Sequence, residues 1–155
     1  MLGTPPVFYN LTDFLFYFAD IQTRIMIVGI GVDIVQIDRF LPWTENKALV
    51  QRFFSEQELE HLEKREDMAQ ALAVRFAAKE AFGKALGTGL RNMVLKDIQV
   101  QQDELGRPFL HLCGSAKKCF QESGATVAHI SLSHDGNYGI AYVVLEGRAS
   151  EEKIC

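Results

Sequence analysis

A chain of 155 residues is long enough for one domain with a working core, and short for two. Its formal net charge of −4 excludes a global pull towards nucleic acid, and 48% hydrophobic with 23% charged residues is a soluble globular balance. Cys113, Cys119 and Cys155 have neither CxxC spacing nor a disulfide framework, so reduced thiols in a cytoplasm are expected. His111 stands two residues before Cys113 without the second ligand pair of a zinc site. The apolar stretch Phe14 to Ala19 is too short to cross a bilayer and is flanked by Asp13 and Asp20, so no membrane role is expected.

In chain order, residues 1–25 read as an extension, from an upstream start or a lineage-specific addition, and Met26 opens the domain. Ile25 to Val35 is a continuous β-branched, apolar run, which predicts a strand covered on both faces. Thr44 to Phe54 predicts a short helix with an irregular start. Ser55-Glu56-Gln57-Glu58 has capping-box spacing and predicts a second helix to about Lys64. Asp67, with Gln70 three residues on, suggests the cap of a longer helix running to Leu86, stopped by Gly87 in a left-handed conformation.

The period then changes. Ile98 and Val100 alternate with Gln99 and Gln101 as in a half-exposed strand, and the turn residues 103–108 return the chain antiparallel through Phe109 to Leu112. Ser115 to Glu122 predicts a helix ended at Gly124. Thr126 to Ser133 and Tyr138 to Leu145 predict two strands about a turn at 134–137, and residues 146–155 read as a frayed polar tail. The sum is one α+β domain over 26–145, a mostly antiparallel sheet packed on one long helix and shorter ones.

Asp33 interrupts the first apolar strand. A carboxylate there needs a cation or amide partners, and a strand end capping backbone amides or simply solvated remains open. On the long helix Arg75 and Lys79 are four residues apart, and an anion between them would relieve their repulsion. Gly83 on the same side would let a ligand approach the backbone. Glu80 and Lys84 also have the spacing of an ordinary surface ion pair. Together these residues suit a phosphorylated ligand with Mg²⁺. Further on, His129 alternates onto one face with Ser131 and Ser133, either a solvated stripe or a phosphate contact surface.

Val28 to Val35 with Ile37-Asp38-Arg39, followed by Arg75-Phe76-Ala77-Ala78-Lys79-Glu80-Ala81-Phe82-Gly83-Lys84-Ala85-Leu86-Gly87-Thr88-Gly89, resembles in order the two motifs of the holo-acyl-carrier-protein synthase family of 4'-phosphopantetheinyl transferases. The resemblance extends through Asp103 to Pro108 and His129 to His134, covering about residues 26–145. It implies the fold of that family, a homotrimer with its site at the subunit boundary, and transfer of 4'-phosphopantetheine from coenzyme A to a serine of an acidic acyl carrier protein. It implies Asp33 and Glu80 as Mg²⁺ ligands, Mn²⁺ suiting the same oxygens, and Lys84 as a further catalytic group. Coenzyme A is implied at Arg75, Lys79, Lys84, Gly87 and His129. Arg39 and Arg52 are implied at the carrier protein, where Lys47 with Trp43, Phe53 and Phe54 makes a basic, apolar surface. Two other classes fit the same residues: a metal-dependent hydrolase of coenzyme A or nucleotides, and a non-catalytic module binding a phosphorylated ligand or an acidic helix.

Overall fold

The computed structural model describes residues 10–12, 25–63 and 65–148; most of the expected extension, and 149–155 of the expected tail, lie outside the described residues. The elements in order are β1 (Ile25–Gln36), a 3₁₀ turn (Ile37–Phe40), α1 (Leu41–Thr44), α2 (Lys47–Phe53), α3 (Glu56–Leu62) and α4 (Met68–Ala85). A second 3₁₀ turn (Leu95–Asp97) leads to β2 (Ile98–Gln102), β3 (Pro108–Leu112), α5 (Gly114–Glu122), β4 (Ala125–Asp135) and β5 (Tyr138–Arg148). The sheet is split in two, both parts antiparallel: β1-β5-β4 and β2-β3. The α+β expectation holds.

α4 is the axle of the domain. Twelve of its 18 residues are buried, because β1 and β5 cover one side while α3 and β2 approach the other. Its contact with β1 is backbone against backbone. A Cβ at Gly29 would fall 1.9 Å from the Ala85 carbonyl oxygen, and one at Gly31 the same distance from that of Ala81. Only hydrogen at these positions lets strand and helix close to this spacing.

Three expectations need correction. β1 is covered on one face alone: as an edge strand it turns Ile30 (51% exposed), Val32 (48%) and Ile34 (62%) outward, beside exposed Tyr142 and Ile140 on β5. Asp67 does not cap α4, because its carboxylate is drawn sideways to Arg65 (two contacts of 2.8 Å) and Gln70 (3.1 Å). The expected tail begins too early. Leu145 and Gly147 stay buried and alternate with Glu146 and Arg148, so β5 runs to Arg148 on a period-two pattern that polar composition disguised. The capping box of α3 is formed as expected, by Ser55 and Glu58.

α5 has no cap from its own preceding residue, Cys113. Asp97 reaches across instead, its Oδ2 accepting from the Ser115 amide (2.7 Å) and hydroxyl (2.6 Å). Burial pushes the Asp97 carboxyl up, but the hydrogen bonds from Ser115 and Cys113 outweigh it and hold it below its ordinary range. Asp97→Ala is expected to cost about 1–2 kcal/mol, the scale of a lost N-terminal cap, or roughly 3–6 °C in Tm. A depressed native value gives stability that is present above the ordinary aspartate range, near pH 4, and lost as pH falls through that native value. Thermal melts of both proteins across pH 2–7 should therefore converge at the acid end.

Candidate active site

Where the Gly29–Gly31 contact pins β1 on α4, Asp33 and Lys84 meet. Lys84 Nζ donates to Asp33 Oδ1 (2.8 Å) and to the Val32 carbonyl (2.9 Å). The Asp33 side chain is only 15% exposed while Lys84 is half exposed. The surface pair of Glu80 with Lys84 left open by spacing is not formed; Lys84 turns to the strand. Glu80 lies near enough to feel both: burial pushes its carboxyl up, the Asp33 carboxylate pushes it further, and Lys84 opposes. Asp33, Glu80 and Lys84 are thus one cluster in one chain.

Two half-buried carboxylates close enough for Asp33 to raise Glu80 make a divalent-cation donor set, since a hard cation between them removes the repulsion. Among the described residues no third His, Cys, Asp or Glu joins them. A Mg²⁺ ion suits two protein oxygens, the rest of its shell coming from water and phosphate.

Gly87 ends the helix at φ +75°, as the sequence predicts, three residues beyond Lys84. It opens an exposed depression of about 650 Å³ lined by residues 87–92. Arg91 in that wall was not singled out from sequence, nor was the left-handed turn at Asn92 (φ 62°), a conformation asparagine tolerates. Gly83 serves the chain itself and not a ligand: a Cβ would lie 2.8 Å from the Gly89 backbone, and Gly89 N–H donates to the Gly83 carbonyl (3.0 Å).

Lys79 departs most from expectation. It is wholly buried, and its ammonium donates to Glu58 Oε2 (2.9 Å), the Leu95 carbonyl (3.0 Å) and the Ile98 carbonyl. With three donors and three partners it holds nothing back for a phosphate. The anion expected near Arg75 and Lys79 exists, but it is Glu58, whose role beyond the capping box sequence did not reveal. Glu58 also accepts from the Ser55 amide (3.0 Å) and, through Oε1, from the Val100 amide (3.1 Å).

Arg75 is 5% exposed and lines a cavity of about 210 Å³ with Gln57, Glu58, His61, Gln101 and Gln102. Its Nη1 donates to the Ala71 carbonyl (3.3 Å), and its Nε has no partner. Burial lowers the Arg75 value and Glu58 partly restores it. His129 is not brought to either group: it sits on the sheet face opposite α4 and contacts Glu146 Oε2 (2.9 Å). Arg39 and Arg52 are exposed on the first 3₁₀ turn and α2, and Lys47 pairs with Glu63 (3.3 Å). The apolar half of that expected surface is mostly internal. Phe54 is buried, and Trp43 and Phe53 stack with Phe40 and Phe76 at 4.9–6.0 Å, leaving Leu41 outside.

The family profile described as the 4'-phosphopantetheinyl transferase superfamily matches residues 29–143. A holo-(acyl-carrier-protein) synthase of Treponema denticola is 52% identical over 123 residues, which are 79% of this chain and all of that protein. The crystal structure of holo-(acyl-carrier-protein) synthase from Neisseria meningitidis superposes with a TM-score of 0.72 at 34% identity, over 77% of this chain and 98% of the other. That of Bacillus anthracis, in complex with CoA (3',5'-ADP), gives 0.66 at 34%, over 79% and 98%. The match begins at the Gly29 contact, takes in Asp33, Glu80 and Lys84, and ends on β5; this chain belongs to the 4'-phosphopantetheinyl transferase superfamily, in its holo-acyl-carrier-protein synthase branch.

Proposed function

We propose that this chain transfers 4'-phosphopantetheine from coenzyme A to a serine of an apo acyl carrier protein, releasing 3',5'-adenosine bisphosphate, in the cytoplasm and in support of fatty acid biosynthesis. The carrying observation is the single cluster of Asp33, Glu80 and Lys84 in a chain so closely related to holo-(acyl-carrier-protein) synthases.

Asp33 and Glu80 would hold Mg²⁺, which when bound supplies charge neutralisation at the pyrophosphate. The serine Oγ attacks the β-phosphorus, and the bond from that phosphorus to the bridging oxygen of the leaving bisphosphate breaks. Lys84, steered by Asp33 and the Val32 carbonyl yet half open to solvent, donates to the departing oxygen. Glu80, in the same cluster, is the carboxylate we assign to receive the serine proton. The unpartnered Arg75 Nε in its cavity suits the nucleotide end of coenzyme A. Arg39 and Arg52 offer exposed positive charge to an acidic carrier helix.

The test is mass spectrometry of an apo acyl carrier protein incubated with this protein, coenzyme A and Mg²⁺. A gain of one phosphopantetheine, abolished by EDTA, is expected. Release of the bisphosphate with no gain on the carrier would favour the hydrolase instead.

The outward apolar stripe of β1 and β5 supports a homotrimer, since contiguous patches of this kind are uncommon on monomers. Val32→Asp is expected to yield monomers in light scattering after gel filtration. A trimer undiminished by that change would remove this face from the interface.

A further inference from the structure

The only buried side-chain nitrogen or oxygen without a hydrogen-bond partner among the described residues is Arg75 Nε, and the carboxylate nearest in kind to satisfying it, Glu58, lines the same cavity. Yet Glu58 is turned away. Its two oxygens are taken by the Ser55 amide, the Val100 amide and the Lys79 ammonium, all within 2.9–3.1 Å. Lys79 in turn has no exposure and no other anion. A carboxylate that is 2% exposed and loses its one cationic partner must find another or take up a proton. The cation at hand is Arg75, one turn before Lys79 on the same face of α4.

We propose that Lys79 is a positioning residue for anion binding at Arg75: by holding Glu58 against α3 and β2 it keeps that carboxylate from closing on the guanidinium, and so leaves Arg75 free for the phosphorylated ligand. The idea rests on the reading of the Arg75 cavity as part of the coenzyme A site. It makes Lys79 essential to ligand affinity without touching the ligand, and it explains why a wholly buried lysine lies inside the motif beside the exposed Lys84.

The experiment is isothermal titration of the full chain with coenzyme A, well below the melting temperature, for wild type, Lys79→Met, Glu58→Gln and the double variant. Removing either partner breaks the same ion pair, so a merely structural role predicts equal weakening in both single variants. The positioning role predicts asymmetry. Lys79→Met raises Kd for coenzyme A at least tenfold, with a matching rise in KM and a smaller fall in kcat. Glu58→Gln, which removes the competing charge and keeps an acceptor for Val100, binds within threefold of wild type. The double variant recovers to the same range. If Lys79→Met does not fold, Glu58→Gln still decides, and tenfold weaker binding there overturns the proposal. Equal losses in both singles, or no recovery in the double, overturn it as well. Arg75→Gln separates the two readings: wild-type affinity in that variant means the cavity does not hold coenzyme A, whatever Lys79 does.

Discussion

Asp33→Ala should abolish turnover almost completely, lowering kcat by about 1,000-fold, equivalent to ~4 kcal/mol of transition-state stabilisation. The reasoning begins with the donor set. Asp33 supplies one of two carboxylates in the cluster, and it is also the anchor of Lys84. Its loss would remove one of the two carboxylates proposed to hold Mg²⁺, and releases the lysine from the orientation that Asp33 and the Val32 carbonyl impose together. Asp33→Asn separates the two effects, because the amide oxygen still accepts from Lys84 while the charge is gone. We expect Asp33→Asn to be nearly as inactive as the alanine variant, with half-saturation shifted to higher Mg²⁺. The check is the initial rate of carrier modification at increasing Mg²⁺, with circular dichroism confirming the fold. A rate within tenfold of wild type at saturating Mg²⁺ would falsify the assignment of Asp33 as a metal ligand.

Gly31→Ala carries the second large effect, and it acts on folding. The new methyl group would lie 1.9 Å from the Ala81 carbonyl oxygen and 2.7 Å from the Ala85 amide nitrogen. Neither atom is the end of a flexible side chain, so relief requires the strand to lift off the helix. Overpacking alone costs roughly 1–3 kcal/mol; here the backbone of the central helix blocks relaxation, and we expect at least about 3 kcal/mol. Against a stability of some 5–15 kcal/mol for a domain, the variant should melt many degrees lower or collect in the insoluble fraction. Urea unfolding measures it. A midpoint unchanged from wild type would mean that strand and helix are not in backbone contact.

Local periodicity makes some residues of the candidate site stand out in the sequence. A carboxylate in the middle of an apolar strand, and charges four residues apart on a helix, announce themselves because the strand repeats every two residues and the helix every 3.6. Periodicity made Asp33, Glu80 and Lys84 conspicuous but left a capped strand end and a surface ion pair open; the resemblance to the two family motifs is what singled them out. What periodicity cannot give is the covering of each face. Arg75 and Lys79 share a side of α4, but only the fold shows that α3 and β2 lie over it, turning two presumed ligand-binding cations into one buried ion pair and one guanidinium whose Nε has no partner. Glu58 was hidden for the same reason: its capping role is local, whereas its grip on Lys79 spans 21 positions. Similarly, an apolar run such as 25–35 does not distinguish a strand sandwiched within its own chain from one with a bare outer face.

The glycine contact between β1 and α4 also acts as a ruler for the chemistry. In most domains the gap between a strand and a helix is filled by side chains, and it drifts as those side chains are exchanged over time. Here the gap is set by peptide groups touching peptide groups, which no substitution elsewhere in the core can pad out or thin. The two carboxylates stand on opposite sides of that gap, so their separation is inherited from the dimensions of the backbone itself. Such a site can be carried unchanged through extensive rewriting of the surrounding sequence, provided the two glycines are kept.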